Sequence, residues 1–293
     1  MIKGIVINPT KIKVKGGIKA QKACRESFAE DLCEFLRDRK YEYIKTDDLK
    51  NFYSQRFPEL NLDVKNTRPK FPLVGLAEQQ YNKKTLELTD SDIKIASNTP
   101  IDKFLGLFGI KPHKDEFYVD GRFTEVVIHE SIHSLQHFMK QTHSVYLKEL
   151  DKIFGGNREN LVDMLNIRDN MYSKLVYNDS IFPIDSKTFR KNLVDNLNHT
   201  NLGNDKIALA NLKSMIRDTE NEKEAYEIGR KQLEYFRYPE MRTNKEYDKF
   251  AEKRAKDEID TRFQFNEKLQ IMKEEFFKLV EKIRKEQLID KSN

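Results

Sequence analysis

Two histidines four residues apart enclose a glutamate in His129-Glu130-Ser131-Ile132-His133, and on a helix that spacing suits metal-dependent hydrolysis. Four residues is slightly more than one turn. The two imidazoles therefore sit about 6 Å apart along the axis and about 40° apart around it, where both can reach one metal ion. Glu130 lies about 100° around from His129. It cannot share the ligand role, yet its carboxylate can lie beside a metal-bound water and take its proton. The residue types predict zinc held by His129 and His133, with Glu130 as the general base. The alternative is a pair of surface histidines on a helix, one of them capping it or hydrogen-bonded to a neighbour.

The helix that must carry the motif is legible in its flanks. Phe123, Val127, Ile128, Ile132, Leu135 and Met139 recur at helical spacing, and no proline interrupts Gly121 to Lys140. His137 lies eight residues beyond His129, about 12 Å along the same helix, too far to share the metal with both other histidines. It is expected behind the site or on the surface.

A third ligand has to come from elsewhere in the chain. Ala208, Leu212, Met215, Thr219, Glu222, Tyr226, Gly229, Leu233 and Phe236 follow one another at steps of three or four, tracing the buried stripe of one long helix. Glu222 interrupts that mostly apolar face, whereas Glu220, Glu224, Glu227 and Lys231 fall on the charged side. A carboxylate on a buried stripe costs several kcal/mol unless a cation compensates it. Zinc would do so; a buried salt bridge to a lysine or arginine is the other solution. Ala225 and Gly229 flank Glu222 on the same face and would let this helix approach the motif helix closely. His133 and Glu222 are 89 positions apart, room for a helical insertion.

With His-Glu-x-x-His at 129–133 and Glu222-Lys223-Glu224-Ala225-Tyr226 downstream, the chain resembles the zincin superfamily of metallopeptidases. It follows the gluzincin type, whose third ligand is a glutamate within Glu-x-x-Ala. The metzincin type extends to a third histidine after a glycine, and His137 does not fit that pattern. The resemblance covers Thr85 to Phe236. It implies zinc bound by His129, His133 and Glu222, Glu130 as catalytic base, and hydrolysis of peptide bonds in a peptide or protein substrate. It also implies a small sheet ahead of the motif helix, whose edge strand binds the substrate by strand addition. Thr85 to Thr89 and Ile93 to Ser97 alternate as strands around a turn at Asp90-Ser91-Asp92, and Phe117 to Val119 could add another. One position departs from the pattern: Tyr226 stands where several gluzincin families have aspartate or asparagine. Tyr226 either stabilises the transition state through its phenol or continues the apolar stripe as core, and the stripe favours core.

The remaining sequence frames this centre. The fold class expected is α+β, mainly helical: a zincin-like core with a small mixed sheet packed on the motif helix, plus a long C-terminal amphipathic helix. Residues 1–72 read as an N-terminal accessory region that opens with a strand at Gly4 to Asn8, has a helix from Gln21 to Tyr41, and ends at a proline-punctuated stretch. Residues 73–240 read as the metallopeptidase domain, with short connecting helices from Val145 to Asn198. Residues 241–293 read as a helical region. From Lys245 to Gln287 there is no Gly or Pro, and Tyr247, Ala251, Ala255, Ile259, Phe263, Leu269, Met272, Phe276, Val280 and Ile283 form a broad stripe, as one helix or two in succession. That region could pack on the same chain, bind a protein partner or self-associate.

Charge is intermixed, 53 Lys+Arg against 48 Asp+Glu for a net +5, which argues against the clustered basic face of a nucleic-acid reader. Cys24 and Cys33 are too far apart on one helix for a disulfide and are expected as reduced thiols. No apolar run approaches 18 residues and no leader pattern opens the sequence, so no membrane contact and a cytoplasmic location are expected. Packaging into a particle or leaderless export would leave no mark of this kind. The second functional expectation is a structural or assembly protein, such as a virion or ring component, on a zincin-like scaffold with little or no activity. The presence of Glu130 beside both histidines favours the enzyme.

Overall fold

The structure, a computed structural model, describes residues 18–58, 61–66, 75–81, 88–95, 104, 107–109, 113, 115–140, 142–156, 161–176 and 185–292. It is α+β and mainly helical. The elements are α1 (Ile18–Arg37), β1 (Tyr43–Lys45), α2 (Thr46–Arg56), β2 (Asn61–Asn66), β3 (Gly75–Tyr81), β4 (Leu88–Ile95) and β5 (Glu116–Tyr118). Then follow α3 (Gly121–Lys140), α4 (Thr142–Ile153), α5 (Leu161–Val176), α6 (Ser186–Thr200), α7 (Asp205–Arg237), a 3-10 turn (Pro239–Thr243), α8 (Lys245–Phe263) and α9 (Phe265–Ser292). The chain forms two compact units, one of Met1–Gln141 with Ala225–Ala255 and one of Thr142–Glu224 with Lys256–Asn293.

The first unit is built around α3. The helix α1 turns Phe28, Ala29, Leu32 and Leu36 inward at helical spacing and packs against α3. A mixed three-stranded sheet in the order β2-β4-β3 lies on α3, with β2 parallel and β3 antiparallel to the central β4. The strand β2 precedes Pro72 and β3 and β4 follow it, so residues on both sides of that punctuation share one sheet.

The central strand corrects one expectation. Asp90-Ser91-Asp92 is not a turn between two strands; it is the middle of β4. The period of two explains it: Ser91, Ile93 and Ile95 are buried while Asp90, Asp92 and Lys94 are partly solvated. Asp92 is held across the sheet by Lys65 at 2.7 Å, and the buried Ser91 finds a partner on α3. Thr85 to Glu87, Ala96 and Ser97, and the expected strand at Gly4 to Asn8, lie outside the described residues. Phe117 does fall in a strand, but β5 pairs antiparallel with β1 in a separate two-stranded sheet.

In the second unit α6 bridges α5 and α9 through Phe189, Leu193 and Leu197. Asp185 caps α6, accepting the Lys187 and Thr188 amides at 3.0 Å each. The buried Lys268 of α9 donates to the carbonyl of Val176, satisfying the end of α5. The C-terminal stretch is two helices in succession, divided at Gln264, whose φ of +51° breaks the helical run. Cys24 and Cys33 are both buried and free. Among the described residues no helix is long and apolar enough to cross a membrane.

Candidate metal centre

The helix α3 runs over the residues its periodicity marks out, and Phe123, Val127, Ile128, Ile132, Leu135 and Met139 are all buried. Its start is fixed by Asp120, whose carboxylate accepts the Phe123 amide at 2.7 Å. Two small hydroxyls then fix its rotation. The Tyr53 phenol on α2 hydrogen-bonds Ser131 at 2.7 Å, and Ser91 on β4 bonds Ser134 at 2.8 Å. Burial pushes the Tyr53 phenol well above its ordinary range, so it stays neutral. Because the Ser131 hydroxyl donates to the Val127 carbonyl at 2.5 Å, the phenol is left to donate to Ser131. With Ser131 and Ser134 satisfied on one side, the motif residues are held on another.

The second helix meets α3 where its side chains are smallest. Ala225 and Gly229 are buried, and a Cβ at Gly229 would stand 3.2 Å from the Glu125 carbonyl oxygen and 3.7 Å from the His129 Cβ. Arg230 reaches Glu125 at 3.4 Å beside this crossing. The helix α7 is unbroken from Asp205 to Arg237. Glu222 therefore lies two turns before Gly229 on nearly the same face.

These elements bring together the three residues the spacing selected. The Nε2 atoms of His129 and His133 face each other at 3.0 Å, and ligand atoms of His129, His133 and Glu222 all lie within 4.8 Å of one another. All three are buried, as is Glu130. Two convergent imidazole nitrogens and a buried carboxylate are a donor set for a divalent ion of the zinc type, whose bonds of about 2.0–2.2 Å place neighbouring donors a little over 3 Å apart. His133 Nδ1 lies 3.1 Å from the Gln136 Oε1. Donation to that amide oxygen puts the proton on Nδ1 and presents the Nε2 lone pair to a metal.

The competing glutamates are where a solvated face puts them. Glu220 is exposed and pairs with Lys273 at 2.8 Å, and Glu224 is only partly buried. His137 is buried rather than on the surface, and stands outside the three-residue group. Tyr226 is partly buried, with its ring centroid 4.1 Å from that of His129 and tilted by 51°. It packs on a candidate ligand instead of filling the core. Sequence reasoning missed Gln136, Ser131 and Ser134. The signal for the serines was present, since small hydroxyl residues lie within an otherwise bulky helix; Gln136 carries no such mark.

No protein-family model, curated protein or solved structure matches this chain.

Proposed function

We propose that the protein is a zinc-dependent metallopeptidase of gluzincin type, and the observation that carries the reading is the convergence of His129, His133 and Glu222 with Glu130 beside them. The four residues come from two separate helices and are the ones that the sequence spacing selects. His129, His133 and Glu222 hold the metal, and the Gln136 contact keeps His133 in the ligating tautomer. Zinc, when bound, supplies a Lewis acid that polarises a carbonyl and brings the pKa of water toward neutrality. Glu130 then takes the proton of the attacking water and passes it to the leaving amine. The Tyr226 ring limits the swing of the His129 imidazole. The substrate is a peptide or protein.

The test combines metal content with hydrolysis. The full chain, purified without added metal, is expected to carry about one zinc per molecule, and His133→Ala and Glu222→Gln to lose it. Glu220→Gln is expected to keep it. Glu130→Gln should retain zinc while its rate on a quenched peptide library falls at least a hundredfold. A wild-type chain that binds no zinc even in excess refutes the reading.

A further inference from the structure

We infer that the buried ion pair Arg168–Asp218 tunes the metal centre by setting the charge beside Glu222, an inference that rests on the metal reading above. The helix α5 turns Leu161, Met164, Arg168, Met171, Tyr172 and Leu175 inward at steps of three and four, and Arg168 interrupts that apolar face as Glu222 interrupts the face of α7. Arg168 is only 2 % exposed, so its charge must be compensated inside the protein. It donates through Nη2 to the Asp218 carboxylate and through Nη1 to Asp169 at 2.5 Å. Its guanidinium lies 5.3 Å from the centroid of Tyr172 and 5.8 Å from that of Tyr146. The Tyr146 hydroxyl in turn donates to Asn211 at 2.6 Å. Asp169 is half exposed and screened, so Asp218 is the counter-charge that matters inside.

Asp218 is four residues before Glu222 on α7, and both are buried. Side chains at that spacing are neighbours on one helix face, and two carboxylates there repel. Pairing with Arg168 cancels the charge of Asp218, so a metal at Glu222 meets a local field close to neutral from this turn of the helix. Removing either partner alone unbalances that field, and in opposite directions. Asp218 and Arg168 are thus positioning residues that act through Glu222. About 6 Å away, one helical turn, one unbalanced charge changes the affinity for a divalent ion by about tenfold even at the dielectric of water and by more in the interior, so a change of at least about tenfold is expected.

The experiment titrates zinc into the full chain against a chromophoric chelator, with unfolding midpoints measured in parallel without zinc. Asp218→Asn is expected to weaken zinc at least about tenfold, because the Arg168 cation then faces Glu222. Arg168→Met is expected to tighten it at least about tenfold, because the Asp218 carboxylate then adds to the site. The double variant should return to within about threefold of wild type. Two single variants that both weaken zinc in step with lost stability, or that leave it unchanged, overturn the inference. Should Arg168→Met fail to fold, Asp218→Asn is set against the charge-retaining Asp218→Glu: zinc weakened only in the first supports the inference, and equal affinities in both overturn it. Failure of the underlying reading looks different, as a wild type without zinc or a Glu222→Gln variant that binds like wild type.

Discussion

Gly229→Ala probes the helix crossing on which the candidate centre depends. The added methyl would sit 3.2 Å from the Glu125 carbonyl oxygen, with the His129 Cβ at 3.7 Å and the His129 amide nitrogen at 3.8 Å. The nearest of these atoms is backbone and cannot swing away, so the helices must part by a few tenths of an ångström. Two energies compete. Replacing a mid-helix glycine by alanine favours the helix by about 1 kcal/mol, whereas overpacking a close contact costs about 1–3 kcal/mol. The net expectation for the metal-free chain is a loss of up to about 2 kcal/mol. The second consequence is specific to the site: parting α7 from α3 carries Glu222 away from the histidine pair, so zinc affinity should fall about tenfold, more than the stability change alone would give. Urea unfolding without metal and a chelator-competition titration measure the two separately. A Gly229→Ala chain that is more stable by about 1 kcal/mol and binds zinc like wild type would refute the reasoning, because only the helix-propensity term would then have acted.

Three further outcomes are expected. At Tyr226 the ring contact with His129 predicts that Tyr226→Phe keeps zinc affinity within about threefold while Tyr226→Ala lowers it; a Phe variant with normal zinc but a hundredfold slower peptide hydrolysis would instead make the phenol a transition-state donor. Burial pushes the Cys33 thiol up to about 12, and its Sγ reaches the Gln232 carbonyl at 3.4 Å, so neither it nor the buried Cys24 should react with a thiol reagent at pH 8.5 until the protein is unfolded; rapid native-state labelling would contradict this. Lys231, at 2.8 Å, and the Tyr235 hydroxyl hold the Asp248 carboxyl below its usual range. A depressed folded pKa contributes stability that is present above the unfolded value of about 3.9 and is lost as pH falls through the folded one. The difference in urea midpoint between wild type and Asp248→Asn should therefore hold steady from pH 7 to pH 5 and shrink below about pH 4; a difference that widens there reverses the assignment.

The two helices of the centre are legible because their stripes are long. Twenty residues of α3 and thirty-three of α7 repeat their apolar spacing often enough to fix both the helix and its buried face. The strands are short, and one face of the small sheet is solvated. Asp90-Ser91-Asp92 therefore has a turn's composition while lying in the central strand, where Lys65 holds Asp92 and Ser134 holds Ser91. Those partners are 27 and 43 residues away in sequence, beyond any local pattern. The strand β2 did carry a readable alternation, Leu62 and Val64 inward between polar neighbours. The pairing of β5 with β1 rather than with the larger sheet is not legible at all, because both are three residues long.

What made Glu222 legible is a rule with wider reach: a charge on a helix's buried stripe demands a partner. Applied to α5, the same rule selects Arg168, which sits at the spacing of Met164 and Met171 and is buried as deeply as they are. Its partner Asp218 falls beside Thr219, next to the stripe that identifies Glu222. The rule finds both charges but not how they are shared. A carboxylate one turn from another on a buried face is costly unless each has its own cation. Arg168 serves Asp218, and on the reading proposed here a metal ion shared with His129 and His133 serves Glu222.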